Sequence, residues 1–138
     1  MMFTMNVGDG RADHERGAAL RARAQGARTK ELGAALASLD PDLREWADGF
    51  IFGEVWAGEG ISFEDRMLVA IVALASIGDT NQLRNYLHGA LQAGIDPARL
   101  QEALKMLVVY VGFPTAISAL VALADVRKRY PAPPADGA

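Results

Sequence analysis

Five residues between positions 81 and 92 have the types and the spacing to do chemistry together. On a helix advancing 100° per residue, Asn81, Arg84, Asn85, His88 and Gln92 fall within about 100° of one another, opposite Leu83, Leu87 and Ala90. An exposed helix face usually carries Glu and Lys pairs, whereas this one offers a guanidinium, carboxamides and an imidazole, all hydrogen-bond donors. Such a face suits an anion; a plain solvated face is the alternative. His88 adds a group whose ordinary pKa of about 6.5 permits proton transfer near neutrality.

Other residues could join it. Arg66 shares a helical stripe with Ala70, Ala73 and Ile77, so its stem starts among apolar side chains and its guanidinium needs a partner. That partner is either a neighbouring carboxylate, from Asp65, Glu64 or Glu54, or a substrate carboxylate. Glu54 and Trp56 stand in "FGEVW", read as a tight connection, and Tyr110 in "YVGFP"; each has an ordinary packing or solvated role as its alternative. His14 falls in the N-terminal stretch and is not expected to act.

Zero cysteines exclude disulfides, thiolate metal sites and thiol nucleophiles together. With only two histidines besides, and 73 residues between them, a transition-metal site is not expected. The chain contains no P-loop, GxGxxG, HExxH, GxSxG or EF-hand pattern.

The elements that must position these groups all read as helices. Residues 14–25 and 30–39 are rich in Ala, Arg and Leu. "DPDLREWADGFIF" opens with Asp40 as cap and Pro41 at the first helical position, and spaces Leu43, Trp46, Ala47, Phe50 and Ile51 as one apolar stripe. Ser62 caps a helix that starts with Glu64 and Asp65 and stops at Gly78; apolar nearly all round, it is expected at the centre. Asp79 or Thr80 begins the next helix, ending at Gly94; Asp96-Pro97 begins another, ending at Gly112; Pro114 begins the last, which fades around 127–130. No segment alternates as a strand would. The fold class expected is therefore all-α, a helical bundle.

The 138 residues suit one domain, expected over 14–130, between a loose arm at 1–13 and a tail at 131–138. A net charge of −3 gives no reason to expect nucleic acid as a partner. The longest apolar run, from Met67 to Ile77, is far short of the roughly 20 residues that cross a bilayer. With no secretory pattern at the start, a soluble cytoplasmic protein without a membrane partner is expected. Leu104, Leu107, Val108 and Val111, with Phe113, Ile117, Leu120, Val121 and Leu123, leave more apolar surface than a small bundle needs, so self-association is expected too.

From "FGEVW" to "YVGFPTAISAL", roughly half of the chain, the sequence resembles the carboxymuconolactone decarboxylase family. The matching elements are FGEVW, a Ser-initiated helix carrying "DR", a helix of the form LR…HxxxALxxG, and YVGFP followed by small residues. Upstream, "ERGAALRARAQG" is similar to the first helix of the true decarboxylases. The alkylhydroperoxidase (AhpD) branch carries CxxC with His four positions on; here those positions hold Asn81, Arg84 and His88, so thiol peroxidase chemistry is excluded. The chain departs from the decarboxylase pattern at Met67, where Ser or Glu is common, and in "ARTKEL" after the first helix.

The resemblance implies an AhpD-like helical oligomer, a trimer or hexamer. It also implies cofactor-free loss of CO2 from 4-carboxymuconolactone to give the 3-oxoadipate enol-lactone. In that reading Arg66 and Arg84 bind carboxylate or enolate oxygen and His88 supplies a proton or hydrogen bond. Glu54 orients His88 or an arginine, Asn81 contributes to substrate binding, and Trp56 and Tyr110 wall the pocket. The alternatives are a related cofactor-free isomerase or cyclase acting on another small acid, and a non-catalytic helical oligomer.

Overall fold

A computed structural model describes residues 10–129, which are helical almost throughout, with no strand among them. The described residues divide into two compact units, one of residues 10–22 with 29–60, the other of residues 23–28 with 61–129. Helix α1 (Gly10–Gln25) crosses that boundary. It starts four residues earlier than expected, so part of the stretch read as an arm is helical. The expected tail at 131–138 lies outside the described residues.

In the first unit α1 is followed by α2 (Thr29–Leu39) and α3 (Pro41–Trp46). Asp40 caps α3, accepting the Asp42 amide at 2.9 Å, with Pro41 at the first position. The chain then widens into a π-helix, Ala47–Val55, whose last bond runs from the Trp56 amide to the Ile51 carbonyl five residues back. This changes which residues face inward. Of the expected stripe Ala47 is buried, but Trp46, Phe50 and Ile51 are exposed, and Asp48, Phe52 and Gly53 are buried in their place.

Close backbone approach accounts for the inward set. A Cβ at Gly17 would sit 1.6 Å from the Asp48 carbonyl oxygen, and one at Gly53 would sit 2.6 Å from that of Asp13. Helix α1 therefore lies directly on the π-helix. The contact brings Arg21 to Asp48, its Nε donating to Oδ1 at 2.6 Å while Nη1 donates to the Thr29 carbonyl at 3.0 Å. Both side chains are buried, and Gly33 leaves room for the guanidinium.

In the second unit α4 (Phe63–Ser76), α5 (Thr80–Gln92) and α8 (Phe113–Arg129) pack on one another, with α6 (Pro97–Lys105) and the single turn α7 (Leu107–Tyr110) alongside. Ser62, Asp79 and Asp96 each cap a helix through a side-chain oxygen. Gly78, Gly94 and Gly112 end helices with φ of 76°, 87° and 119°, conformations that a Cβ would strain. The core is Met67, Ile71, Leu87, Leu91, Leu100 and Leu104.

Two expectations fail here for physical reasons. Helix α4 buries a single stripe, Met67, Ile71 and Ala75, and leaves Val69 and Ile77 exposed, so the most covered helix is α5. The helix expected to run to Gly112 breaks at Met106, whose amide bonds the Ala103 carbonyl only three residues back, while Leu104 and Leu107, three residues apart, both stay buried on one side of the break. Beyond the break, Val109, Tyr110 and Phe113 point outward.

Candidate active site

The polar face of α5 is covered along its second half, from Asn85 to Gln92, and open to solvent at Asn81 and Arg84. The 3₁₀ turn Gly26–Arg28, which leaves the end of α1, packs directly on it. At Gly89 a Cβ would come within 1.6 Å of the Ala24 carbonyl oxygen, so only glycine admits this approach. Gly26 takes a left-handed φ of 63°, and the Ala27 amide donates to Gln92 Oε1 at 3.0 Å. Arg28 then reaches back along the helix, its Nη1 donating to Asn85 Oδ1 at 2.7 Å.

His88 lies on α5 between Asn85 and Gln92, the two residues that hold the turn. It is only 2% exposed, and both ring nitrogens are sealed from solvent. Burial, followed by the charge of Arg28, lowers its pKa from the ordinary 6.5. The imidazole is therefore uncharged at neutral pH in the free protein. Two residues earlier on the same helix, burial raises the Tyr86 pKa, keeping that phenol protonated.

Of the other residues expected to act, Arg84 is turned to α8, where Nη2 donates to Asp125 Oδ2 at 3.0 Å in a pair open to solvent. Arg66 is half-buried on α4, Asn81 is exposed in the first turn of α5, and Tyr110 is 77% exposed on α7. Glu64 and Asp65, considered as partners for Arg66, are both engaged by Arg99, at 2.7 Å and 3.1 Å.

Glu54 and Trp56 belong to the first unit. Glu54 is exposed on the π-helix, which replaces the tight connection expected for FGEVW, and Trp56 stacks on Phe52 with ring centroids 5.1 Å apart. Glu54 lines a groove of about 260 Å³ with Asp13, His14, Glu45, Trp46 and Phe50. His14 is held there through Nδ1, donating to the Gly10 carbonyl at 2.6 Å. A second cavity, of about 240 Å³ in the other unit, lies among Leu74, Leu83 and the hydroxyl groups of Thr80, Thr115 and Ser118. Neither is lined by His88, Arg66 or Arg84.

The contact that sequence reasoning missed is that of Arg28 with Asn85. Arg28 stands in "ARTKEL", but 57 positions separate it from Asn85, and no local period can report such a contact. No group of three or more His, Asp or Glu side chains able to hold a metal ion occurs among the described residues. No described helix is long and apolar enough to cross a membrane.

A covered imidazole on a helix framed by a Ser-capped helix and a YVGFP turn is the arrangement spanned by one family model, which matches residues 41–125 and is described as the carboxymuconolactone decarboxylase family. The chain belongs to that family. Within the curated relatives, a 4-carboxymuconolactone decarboxylase of Acinetobacter baylyi is 28% identical over 93 residues, covering 67% of this chain and 69% of the relative. The family match takes in His88, Arg66, Arg84 and the π-helix, while α1, the 3₁₀ turn and Arg28 precede it.

Proposed function

We propose that this member of the carboxymuconolactone decarboxylase family releases CO2 from a small carboxylated lactone of the 4-carboxymuconolactone type. The single observation that carries the reading is His88, a covered and uncharged imidazole inside the family-matched region. A relic scaffold has no use for a buried ionisable ring, whose desolvation costs stability unless it does something.

The reaction needs no external electron sink. When the bond to the departing carboxylate breaks, its electron pair moves through the ring double bond onto the lactone carbonyl oxygen. Protonation at carbon then gives the enol-lactone. The protein has to hold the substrate, stabilise the oxygen on which charge develops and deliver that proton. His88 is the proton donor in this scheme.

Arg66 and Arg84 hold oxygen atoms that do not leave. A cation beside the departing carboxylate would stabilise the ground state and slow its loss. The partner that Arg84 already has does not remove it from the scheme: an exposed pair such as Arg84 with Asp125 contributes at most about 1 kcal/mol, which a substrate carboxylate can replace.

The test is incubation with 4-carboxymuconolactone, following CO2 release and loss of ultraviolet absorbance. Turnover is expected, with His88→Ala lowering kcat by roughly 10²–10⁴ while helicity is kept. No CO2 from a fully helical wild-type protein would defeat the reading, and an undiminished kcat in His88→Ala would remove the histidine from it.

A further inference from the structure

We propose that the 3₁₀ turn Gly26–Arg28 is a proton-sensitive strap, seated on α5 while His88 is neutral and lifted from it when the ring takes up a proton. The strap is a property of the turn and α5; the use made of it rests on the decarboxylase reading.

The turn has an anchor, a hinge and a latch. Its anchor is the end of α1, where Ala24 and Gln25 are buried and the Ala24 carbonyl lies too close to Gly89 for a Cβ to stand between them. Its hinge is Gly26, whose φ of 63° sets the bend and whose missing side chain lets the backbone change. Its latch includes two hydrogen bonds, from the Ala27 amide to Gln92 Oε1 at 3.0 Å and from Arg28 Nη1 to Asn85 Oδ1 at 2.7 Å. Both come from the outer part of the turn, where Ala27 is exposed and Arg28 half-buried.

His88 lies beneath that latch. Asn85, His88 and Gln92 are three and four residues apart on α5, hence on one stripe, and the outer two are the ones the turn holds. With both ring nitrogens sealed, an imidazolium there would be a charge cut off from water. The charged groups around α5 sort clearly. At the end of α1, Arg23 lies 3.9 Å over the Phe63 ring. On α4, Glu64 and Asp65 are engaged by Arg99, and Arg66 is half-buried. On α8, Asp125 is paired with Arg84, and Arg127, Lys128 and Arg129 stand in the last turn. On α5 itself the Tyr86 phenol stays neutral. Among them it is Arg28, carried by the strap, whose like charge bears on the ring.

Sealing an imidazolium beside a guanidinium costs more than two hydrogen bonds return, because water takes over those bonds when the latch opens. Lifting Ala27 and Arg28 carries the like charge away and admits water to the ring. The seated ring holds a proton less tightly than usual, whereas the lifted ring, solvated, holds it with the ordinary pKa of 6.5. Opening is therefore independent of pH above 6.5 and grows below it, by at most about tenfold per pH unit, until the pKa of the seated ring is passed. In the proposed reaction this joins two requirements. A sealed ring cannot reach a substrate and a neutral one is a poor acid; lifting supplies access and charge together. The proton comes from solvent, passes to the substrate carbon and is replaced from solvent in the next cycle.

Amide hydrogen exchange on the full chain tests the strap. Protection of the Ala27 amide, its exchange rate relative to an unfolded chain at the same pH, should hold above 6.5 and fall below it by up to about tenfold per pH unit. The fall should carry the slight urea dependence of a local opening. His88→Gln should make the same protection independent of pH through this window. Constant protection in the wild-type protein, or a fall with the steep urea dependence of global unfolding, overturns the inference, and neither result needs a variant to fold. A fall that persists undiminished in His88→Gln also overturns it, since the imidazole would not be the trigger. Proton-linked loss of protection in a protein that releases no CO2 would sink the proposed reaction and leave the strap standing.

Discussion

Arg21 and Asp48 are the two charged side chains most completely withdrawn from water in the first unit, and they have each other at 2.6 Å. Removing water from two charges costs several kcal/mol apiece, which the pair recovers only while both members and their supporting hydrogen bonds are present. Arg21→Met should therefore lower unfolding free energy by about 3 kcal/mol in urea titrations, because it leaves the buried Asp48 carboxylate with only the half-exposed Arg44, 4.0 Å from it. Arg21→Met combined with Asp48→Leu should lose clearly less than the sum of the two single changes. Strict additivity would show that the two side chains do not act as a unit.

His88 makes a different prediction at the same scale. Its folded pKa is lowered while its unfolded pKa stays near 6.5, so between those two values the unfolded chain binds more protons than the folded one. Stability contributed by the neutral ring is complete above 6.5 and is lost as pH falls toward the folded pKa. Below the folded value the loss is complete and constant. Unfolding free energy of wild type minus that of His88→Gln should fall with acidification inside this window and level off beneath it. A difference that does not change with pH there would contradict an uncharged buried ring.

At the scale of elements, the turn Gly26–Arg28 and helix α5 form one device, and Gly89 is what lets them touch. Gly89→Ala places a methyl group 1.6 Å from the Ala24 carbonyl oxygen, so the turn has to move. The cost should be about 1–3 kcal/mol or more, and the His88 pKa should rise toward 6.5 as Arg28 is carried away. Gly60→Ala, with open space around it and no left-handed backbone, is the control and should change neither quantity. If Gly89→Ala leaves both unaltered, the turn is not seated as described.

These elements also show what a sequence can and cannot report. Asp40 with Pro41, Ser62, Asp79 and Asp96 mark helix starts, and Gly78, Gly94 and Gly112 mark their ends, because caps and left-handed turns depend on the local residue alone. The π-helix at 47–55 escaped because a wheel drawn at 100° per residue assumes the coil it is meant to test. It set Trp46 and Phe50 inward, although the wider coil turns Asp48 and Phe52 there. At the candidate site the imidazole was legible on α5 and its cover was not. Asn85 and Gln92 read as donors open to an anion, but their carbonyl oxygens serve Arg28 and Ala27, residues 57 and 65 positions away. Polarity on a helix face does not reveal whether water or another segment satisfies it.

For the whole molecule the unsettled balance is apolar surface. Val109 and Tyr110 are each 77% exposed and Phe113 64%, and Val108, Val111, Ile117 and Val121 add to them on α7 and α8. Leaving one such side chain in water is ordinary, but a contiguous run of this size on a chain of 138 residues is the kind of surface that proteins cover by association. A second copy of the chain would suffice, since a symmetric interface sets the same patch against itself. We expect the wild-type protein to sediment as an oligomer at micromolar concentration. Tyr110→Glu with Phe113→Glu should convert it to monomer while far-ultraviolet dichroism keeps its helical form, because both side chains are exposed in the single chain and their replacement opens no cavity. Tyr110 also tests whether assembly matters to chemistry: on an isolated chain it faces outward, so it can wall a substrate site only if another copy is brought against it. Loss of turnover that tracks dissociation, with helicity retained, would place the pocket wall at an interface. A monomeric wild-type protein would mean that this surface has some other purpose.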